Sequence, residues 1–335
     1  MAMIEVSNLV KLYGEDVRAV DGISFEVHEG EVFGFLGPNG AGKTTTIRMI
    51  ATLLTPTSGQ ITVDGLDVAA EAEEIRHRIG YAAQFIGVDD DLTAHENLVL
   101  QGRLHGLAKA RARSKADEML DLMDLAGVAD RRAGTFSGGM RRRLDLSQAL
   151  VHEPRLLFLD EPTTGLDPQN RRALWTYLRA LHESGTTIFL TTQYLEEADR
   201  LAERMAIIDN GRIVIEGTPE SLKSDLGGDV VRVTLPEDAT GDLVDRALAA
   251  LQSLEGSGES KKYDHSVAAY VRRGSTQMAA LVRRLDADQI PVVKLEVAEP
   301  SLDDVFLRHT GERLRVDQVT APARMVLGRR GRRRT

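Results

Sequence analysis

The stretch Gly37-Pro38-Asn39-Gly40-Ala41-Gly42-Lys43-Thr44 fits the spacing G-x-x-x-x-G-K-[ST]. No other feature constrains the fold as strongly, because the loop works only between a strand and a helix. Glu31–Leu36 reads as a short apolar strand just before it, and a helical pattern starts at Gly42 and runs through Ile47, Met49 and Ile50. In that context glycines let backbone N–H groups point at phosphate oxygens, and the helix N-terminus adds partial positive charge. Lys43 is expected to reach the β- and γ-phosphates of a nucleotide and Thr44 to bind its Mg²⁺, with Thr45 closing the loop.

A second motif fits the first. Arg155–Leu159 is an unbroken apolar run of the kind buried on both faces of a parallel sheet, and it ends at Asp160-Glu161. Such a strand would deliver Asp160 to the metal and Glu161 to an attacking water. Strand-like segments at Ile4–Leu9, Ile23–Val27, Ile61–Val63, Thr186–Thr191, Met205–Ile208 and Ile213–Glu216 alternate with helical ones at Arg171–Ser184 and Leu195–Ala202. This alternation predicts an α/β sheet. Leu92 to Val128 reads as mostly helical, from the spacing of Leu98, Leu104, Leu107, Met119, Leu122, Met123 and Leu125.

Near Gly227-Gly228 the character changes. A strand (Val230–Leu235), a helix (Leu243–Leu254), a polar turn (Glu255–Lys262), a strand (Val267–Arg272), a helix (Thr276–Asp286) and a strand (Pro291–Val297) suggest a small βαββαβ, ferredoxin-like unit. A short helix, Ser301–His309, follows. The reading therefore divides the chain into 1–227, with a helical part at about 88–145, a small α+β domain at 228–311, and an Arg-rich tail at 312–335 expected to be disordered.

Composition removes several chemistries. There is no Cys, so disulfides, thiolate metal sites and Cys nucleophiles are excluded, and the scattered His residues have no metal-site spacing. A net charge of −9 argues against nucleic acid as a partner. Met1–Tyr13 lacks a signal-peptide apolar core, and no apolar run has transmembrane length. The chain is expected to be soluble and to meet a membrane only through a partner.

Phe136-Ser137-Gly138-Gly139-Met140 resembles the signature of the ATP-binding cassette family, usually L-S-G-G-Q, and stands between the two nucleotide motifs as that family has it. Its first and last positions differ from the usual pattern. Other family elements follow in order from Met3 to about Pro219. Tyr13 matches the aromatic residue that stacks on adenine, Gln84 the Gln that joins the metal and the reacting phosphate, and Gly165-Leu166-Asp167 the D-loop. The resemblance implies a P-loop NTPase with an N-terminal β subdomain and a helical signature subdomain. It implies ATP and Mg²⁺ as cofactors, and a homodimer in which Ser137, Gly138 and Gly139 of one subunit meet the ATP on the P-loop of the other.

The family normally has His at the end of the strand after the D-loop, where this chain has Gln193 in Thr191-Thr192-Gln193-Tyr194-Leu195-Glu196-Glu197. A Gln amide can donate to a γ-phosphate but cannot titrate. One reading is a working ATPase in which Glu161 polarises water and Gln193 positions the phosphate. The other is a slow or regulatory nucleotide switch. The intact Glu161 favours the first. The Gln193 segment and Pro300-Ser301-Leu302-Asp303-Asp304-Val305-Phe306 are similar to daunorubicin-resistance exporter ATPases. Those pair with a separate membrane permease, which implies peripheral attachment to the cytoplasmic face and export of a drug or antibiotic-like compound. The region from Gly87 to Val128, with Gln84, would then receive a cytoplasmic helix of the permease.

Overall fold

The computed structural model describes residues 1–14 and 16–310. Two long antiparallel strands open the chain, β1 (Ala2–Tyr13) and β2 (Val17–His28), and β3 (Val32–Leu36) runs through the Gly-rich turn into α1 (Lys43–Ile50). After β4 (Ser58–Val63), β5 (Leu66–Asp67), α2 (Ala72–Arg78) and β6 (Ile79–Ala82) comes a helical section of α3 (Ala94–Leu104), α4 (Lys109–Leu122) and α5 (Gly138–Leu150). The chain returns through β7 (Leu156–Asp160), α6 (Pro168–Glu183), β8 (Thr187–Thr192), α7 (Leu195–Leu201), β9 (Arg204–Asp209), β10 (Arg212–Gly217) and α8 (Pro219–Ser224).

A six-stranded sheet of order β10-β9-β3-β8-β7-β6 forms the centre, and all its pairings are parallel except β10 with β9. Every residue of β3, β7 and β8 is buried, as expected of strands covered on both faces of a parallel sheet. Parallel strands bring their C-terminal ends to one edge, where open α/β sheets bind ligands. On that edge stand the loop after β3, Gln84 after β6, Asp160-Glu161 at the end of β7 and Gln193 after β8. A four-stranded antiparallel sheet, β2-β1-β4-β5, covers one face. Phe25 joins the two layers, with ring centroids 5.5 to 6.0 Å from Phe33, Phe35 and Phe189.

The segment read as mostly helical over Leu92–Val128 is so in the structure. It breaks after Leu104 into two helices and a short 3₁₀ turn at Ala126–Val128. A Thr93/Glu96 capping box starts the first helix, and α4 and α5 pack on it through Leu98, Ala116, Leu120 and Leu144.

The last part is β11 (Asp229–Thr234), α9 (Gly241–Gln252), β12 (Ser257–Tyr263), β13 (Ser266–Val271), α10 (Gly274–Ala287), β14 (Lys294–Ala298) and α11 (Leu302–Thr310). The order is βαββαβ, and the antiparallel sheet runs β12-β13-β11-β14. The polar turn expected at Glu255–Lys262 is in fact mostly the strand β12. It is an edge strand, and its Ser, Glu and Lys side chains give none of the apolar alternation that marks a half-buried strand. One face of this sheet has its own core with α9 and α10, through Val231, Val233, Leu251, Val271 and Leu281. The other face shares a core with the central sheet: Leu302, Val305 and Phe306 of α11 pack with Leu36, Ala198, Met205 and Leu222. The Arg-rich tail lies outside the described residues. Among the described residues no helix is long and apolar enough to cross a membrane.

Candidate functional site

The loop after β3 borders a cavity of about 220 Å³ lined by Ala19, Asn39, Gly40, Gly42, Lys43, Thr44, Thr45, Gln84 and Glu161. Gly37 N–H donates to Thr192 O at 3.3 Å and Ala41 N–H to Pro38 O at 3.2 Å, which folds the loop over the end of the sheet. Gly42 must be glycine twice over. Its φ is +107°, and a Cβ there would lie 2.4 Å from Ala19 O.

Lys43 is 4% exposed. Its Nζ donates to Gly37 O at 2.8 Å and Pro38 O at 3.0 Å, and lies 3.2 Å from Glu161 Oε1. Burial lowers its pKa, and the Glu161 and Asp160 charges oppose that. Asp160 is fully buried; its Oδ1 accepts from Thr44 Oγ1 at 3.1 Å and Thr191 Oγ1 at 2.7 Å, while Oδ2 is buried without a hydrogen-bond partner.

Glu161 has a φ of +49°, in the left-handed region where a residue with a Cβ is strained. Its N–H is fixed to Thr191 O at 3.0 Å and to Thr191 Oγ1 at 3.1 Å, which holds that conformation. The carboxylate is thereby turned toward Lys43, and its Oε2 accepts from Gln84 Nε2 at 3.1 Å. Gln193 is 5% exposed, and its Oε1 has no hydrogen-bond partner.

The other expected site residues lie apart from this cavity. Tyr13 ends β1, 45% exposed, with Lys11 Nζ 5.4 Å from its ring centroid. Ser137 caps α5, accepting from Met140 N–H at 3.3 Å, and Gly138 and Gly139 form the first turn of that helix. Asp167 caps α6 by accepting from Gln169 and Asn170 N–H, each at 3.0 Å, with Pro168 at the first helical position. The two caps meet: a Cβ on Gly139 would lie 2.8 Å from the Asn170 side chain, whose Nδ2 donates to Asp167 Oδ2 at 2.5 Å. The structure therefore gathers the loop residues, Gln84, Asp160 and Glu161 at one centre, and Ser137, Gly139 and Asp167 at another.

Residues 20–164 match the ABC transporter family, and residues 217–310 match the C-terminal domain of DrrA1-3-like ATP-binding proteins. The daunorubicin resistance ATP-binding protein DrrA2 of Streptomyces coeruleorubidus is 46% identical over 310 residues, which is 92% of this chain and 95% of that one. The chain belongs to the ATP-binding proteins of ABC transporters. The linearmycin resistance ATP-binding protein LnrL of Bacillus subtilis is 39% identical over 93% of this chain and 100% of its own. The dimeric structure of the bacterial ABC transporter cassette MJ0796 superposes with a TM-score of 0.60 at 28% identity, covering 64% of this chain and 98% of that one. The fold is thus that of an ABC ATPase carrying a C-terminal α+β domain, and its reaction is ATP hydrolysis.

Some residues of this ABC cassette stood out only in the structure. Thr191 holds both Asp160 and the strained Glu161, yet it reads as one more β-branched residue in a buried strand. Glu197 is fully buried and accepts from Trp175 Nε1 at 3.1 Å, tying α7 to α6. Burial pushes its carboxyl up, against the hydrogen bond from Trp175. Arg142 and Asp145 form a buried ion pair. Their i,i+3 spacing in a helix was a usable signal, but within Arg141–Arg143 nothing marks which guanidinium turns inward.

Proposed function

We propose that the chain is the nucleotide-binding subunit of an exporter for a drug or antibiotic-like compound, working through a separate membrane permease at the cytoplasmic face. The observation that carries this reading is Glu161, strained into position beside the P-loop lysine and bonded to Gln84. A carboxylate held there by Thr191 and Gln84 is placed to polarise a water at the γ-phosphate. The resistance ATP-binding proteins that resemble the chain over nearly their whole length supply the transported class.

In this reading Gly37–Thr45 cradles the phosphates, Tyr13 stacks on adenine, and Gln193 donates to the γ-phosphate. Two subunits close on two ATP molecules, each offering Ser137, Gly138, Gly139 and Asp167 to the other's nucleotide. The separation of those residues from the P-loop centre within one chain supports a partner subunit supplying them. Mg²⁺ fits the donors present. Thr44 Oγ1 and Asp160 Oδ1 are together, Asp160 Oδ2 is buried and lacks a partner, and Gln84 lines the same cavity. These hard oxygen ligands suit Mg²⁺, which keeps few protein ligands and takes phosphate oxygens. When bound, it would neutralise phosphate charge. The α+β unit from 228 onward acts as a dimer or permease contact.

Co-expression with a candidate membrane permease provides the test. Inverted vesicles holding both should accumulate an amphipathic fluorescent antibiotic only with ATP and Mg²⁺, and lose that uptake with Glu161→Gln. Robust ATP turnover without uptake of any such compound would remove the drug-export reading.

A further inference from the structure

We propose that Arg142 and Asp145 act as a positioning clamp that sets Gln84 against Glu161. Both lie on α5, just behind the Ser137-Gly138-Gly139 turn, with side chains 5% and 7% exposed and Arg142 Nη1 2.9 Å from Asp145 Oδ2. The pair's other hydrogen bonds go to two loops, while Arg142 Nη2 is buried without a partner. Arg142 Nε donates to Pro162 O at 2.9 Å, directly after Glu161, and Nη1 donates to Ala83 O at 2.7 Å, directly before Gln84. Asp145 Oδ1 accepts from Gly87 N–H at 2.9 Å. The Gln84 segment is thus pinned at both ends, and the chain leaving Glu161 is pinned to the same guanidinium. Between these anchors Gln84 Nε2 donates to Glu161 Oε2 at 3.1 Å.

Stability alone does not account for this arrangement. Well-packed apolar residues often replace a buried ion pair without loss of stability. They cannot hold the backbones of two separate loops, whereas a planar guanidinium with five donors can. The clamp touches no reacting atom; it acts through Gln84. It also starts from the signature helix, so the element that would face a partner's ATP is bonded directly to the pair that would serve the chain's own.

The inference rests on the reading of Gln84 and Glu161 as the pair that handles the attacking water. Its test is steady-state ATPase of the full chain with Mg²⁺. The double variant Arg142→Leu/Asp145→Leu removes both charges and leaves neither buried alone. Its kcat should fall at least about tenfold while the KM for ATP stays within about threefold, the pattern of a lost transition-state contact. On a Gln84→Ala background the same two changes should cost less than about threefold, because residues acting as one unit are not additive. A kcat within threefold of the parent, or the full tenfold loss repeated without Gln84, would overturn the clamp. If circular dichroism shows the double variant unfolded, Arg142→Lys takes its place. It keeps the charge but cannot reach both carbonyls, and it must show the same loss confined to kcat. Glu161→Gln serves as the control. If it keeps parent turnover, the reading of the site fails. If it collapses while the double variant does not, only the clamp fails.

Discussion

Lys43 Nζ and Glu161 Oε1 stand 3.2 Å apart, each side chain 4% exposed, so the cation of the phosphate loop and the carboxylate at the end of β7 form one buried pair. The pair joins two segments 118 positions apart in the chain, and strand order alone brings them together: β3 and β7 both flank β8. Lys43 also spans Gly37 O and Pro38 O, so its ammonium already sits where phosphate oxygens would arrive.

Removing that charge should therefore act on binding. Lys43→Ala is expected to weaken ATP by roughly 30- to 150-fold, since a charge-assisted hydrogen bond in a buried site contributes about 2–3 kcal/mol. Titration with a fluorescent ATP analogue checks this, and parent-like affinity would sink the loop's assignment.

Gln193 gives a test with a pH signature. Loss of one preorganised donor to developing charge costs about 3 kcal/mol, so Gln193→Ala should lose about a hundredfold in turnover. Gln193→His should preserve or raise the rate and bring in a pH dependence near an ordinary imidazole pKa of about 6.5 that the parent lacks. A parent without turnover, rescued by Gln193→His, would favour a nucleotide-gated switch.

The shared core ties the C-terminal unit to the rest. Phe306 is 2% exposed against Leu36, Met205 and Leu222. Phe306→Ala should cost about 3 kcal/mol and lower Tm by several degrees, with the KM for ATP unchanged. A chain ending at Gly227 should be less stable than the full one, because Ala198, Ala202, Leu222 and Leu226 lose their cover. Equal thermal melts for the two would show that α11 contributes nothing.

A histidine stack predicts acid sensitivity. The rings of His105 and His152 lie 3.6 Å apart and nearly parallel, with His77 edge-on to His105. Burial lowers the His152 pKa from 6.5 to about 4, against a hydrogen bond to Ile79 O. Between those values the unfolded chain binds a proton that the folded one refuses. Stability is therefore complete above pH 6.5 and declines as pH falls toward 4, by up to about 3 kcal/mol. Denaturant unfolding of the parent and of His152→Gln at pH 7 and pH 5 should show a smaller drop in the variant. Equal drops would contradict the assignment.

The sequence disclosed the parts of the site whose chemistry lies in residue type and spacing. The loop from Gly37 to Thr45, the strand ending at Asp160-Glu161 and five of the six central strands were legible, because glycine spacing and apolar runs are local signals; the four-residue β6, Ile79–Ala82, is too short and too Gly- and Ala-rich to give one. The resemblance of the Ser-Gly-Gly turn, Gln84 and Pro300–Phe306 to known motifs carried the family. What stayed hidden depends on geometry between distant segments. The left-handed φ of Glu161 comes from a neighbour across the sheet, Thr191. The inward turn of Arg142 depends on carbonyls at Ala83 and Pro162. β12 was missed because an edge strand can be polar throughout, and the core that α11 shares with α7 and α8 carries no periodic signal of its own.

In the proposed cassette Glu161 activates water at a site completed by a second subunit. Light scattering of Glu161→Gln with Mg²⁺ and ATP tests it most directly, because that variant keeps every binding group and loses the polarising charge. The expected result is a stable species of twice the 36.7 kDa chain mass that holds unhydrolysed ATP. A variant that binds ATP yet stays monomeric would rule out the shared site, and one that hydrolyses it at the parent rate would rule out Glu161 as the group that activates water.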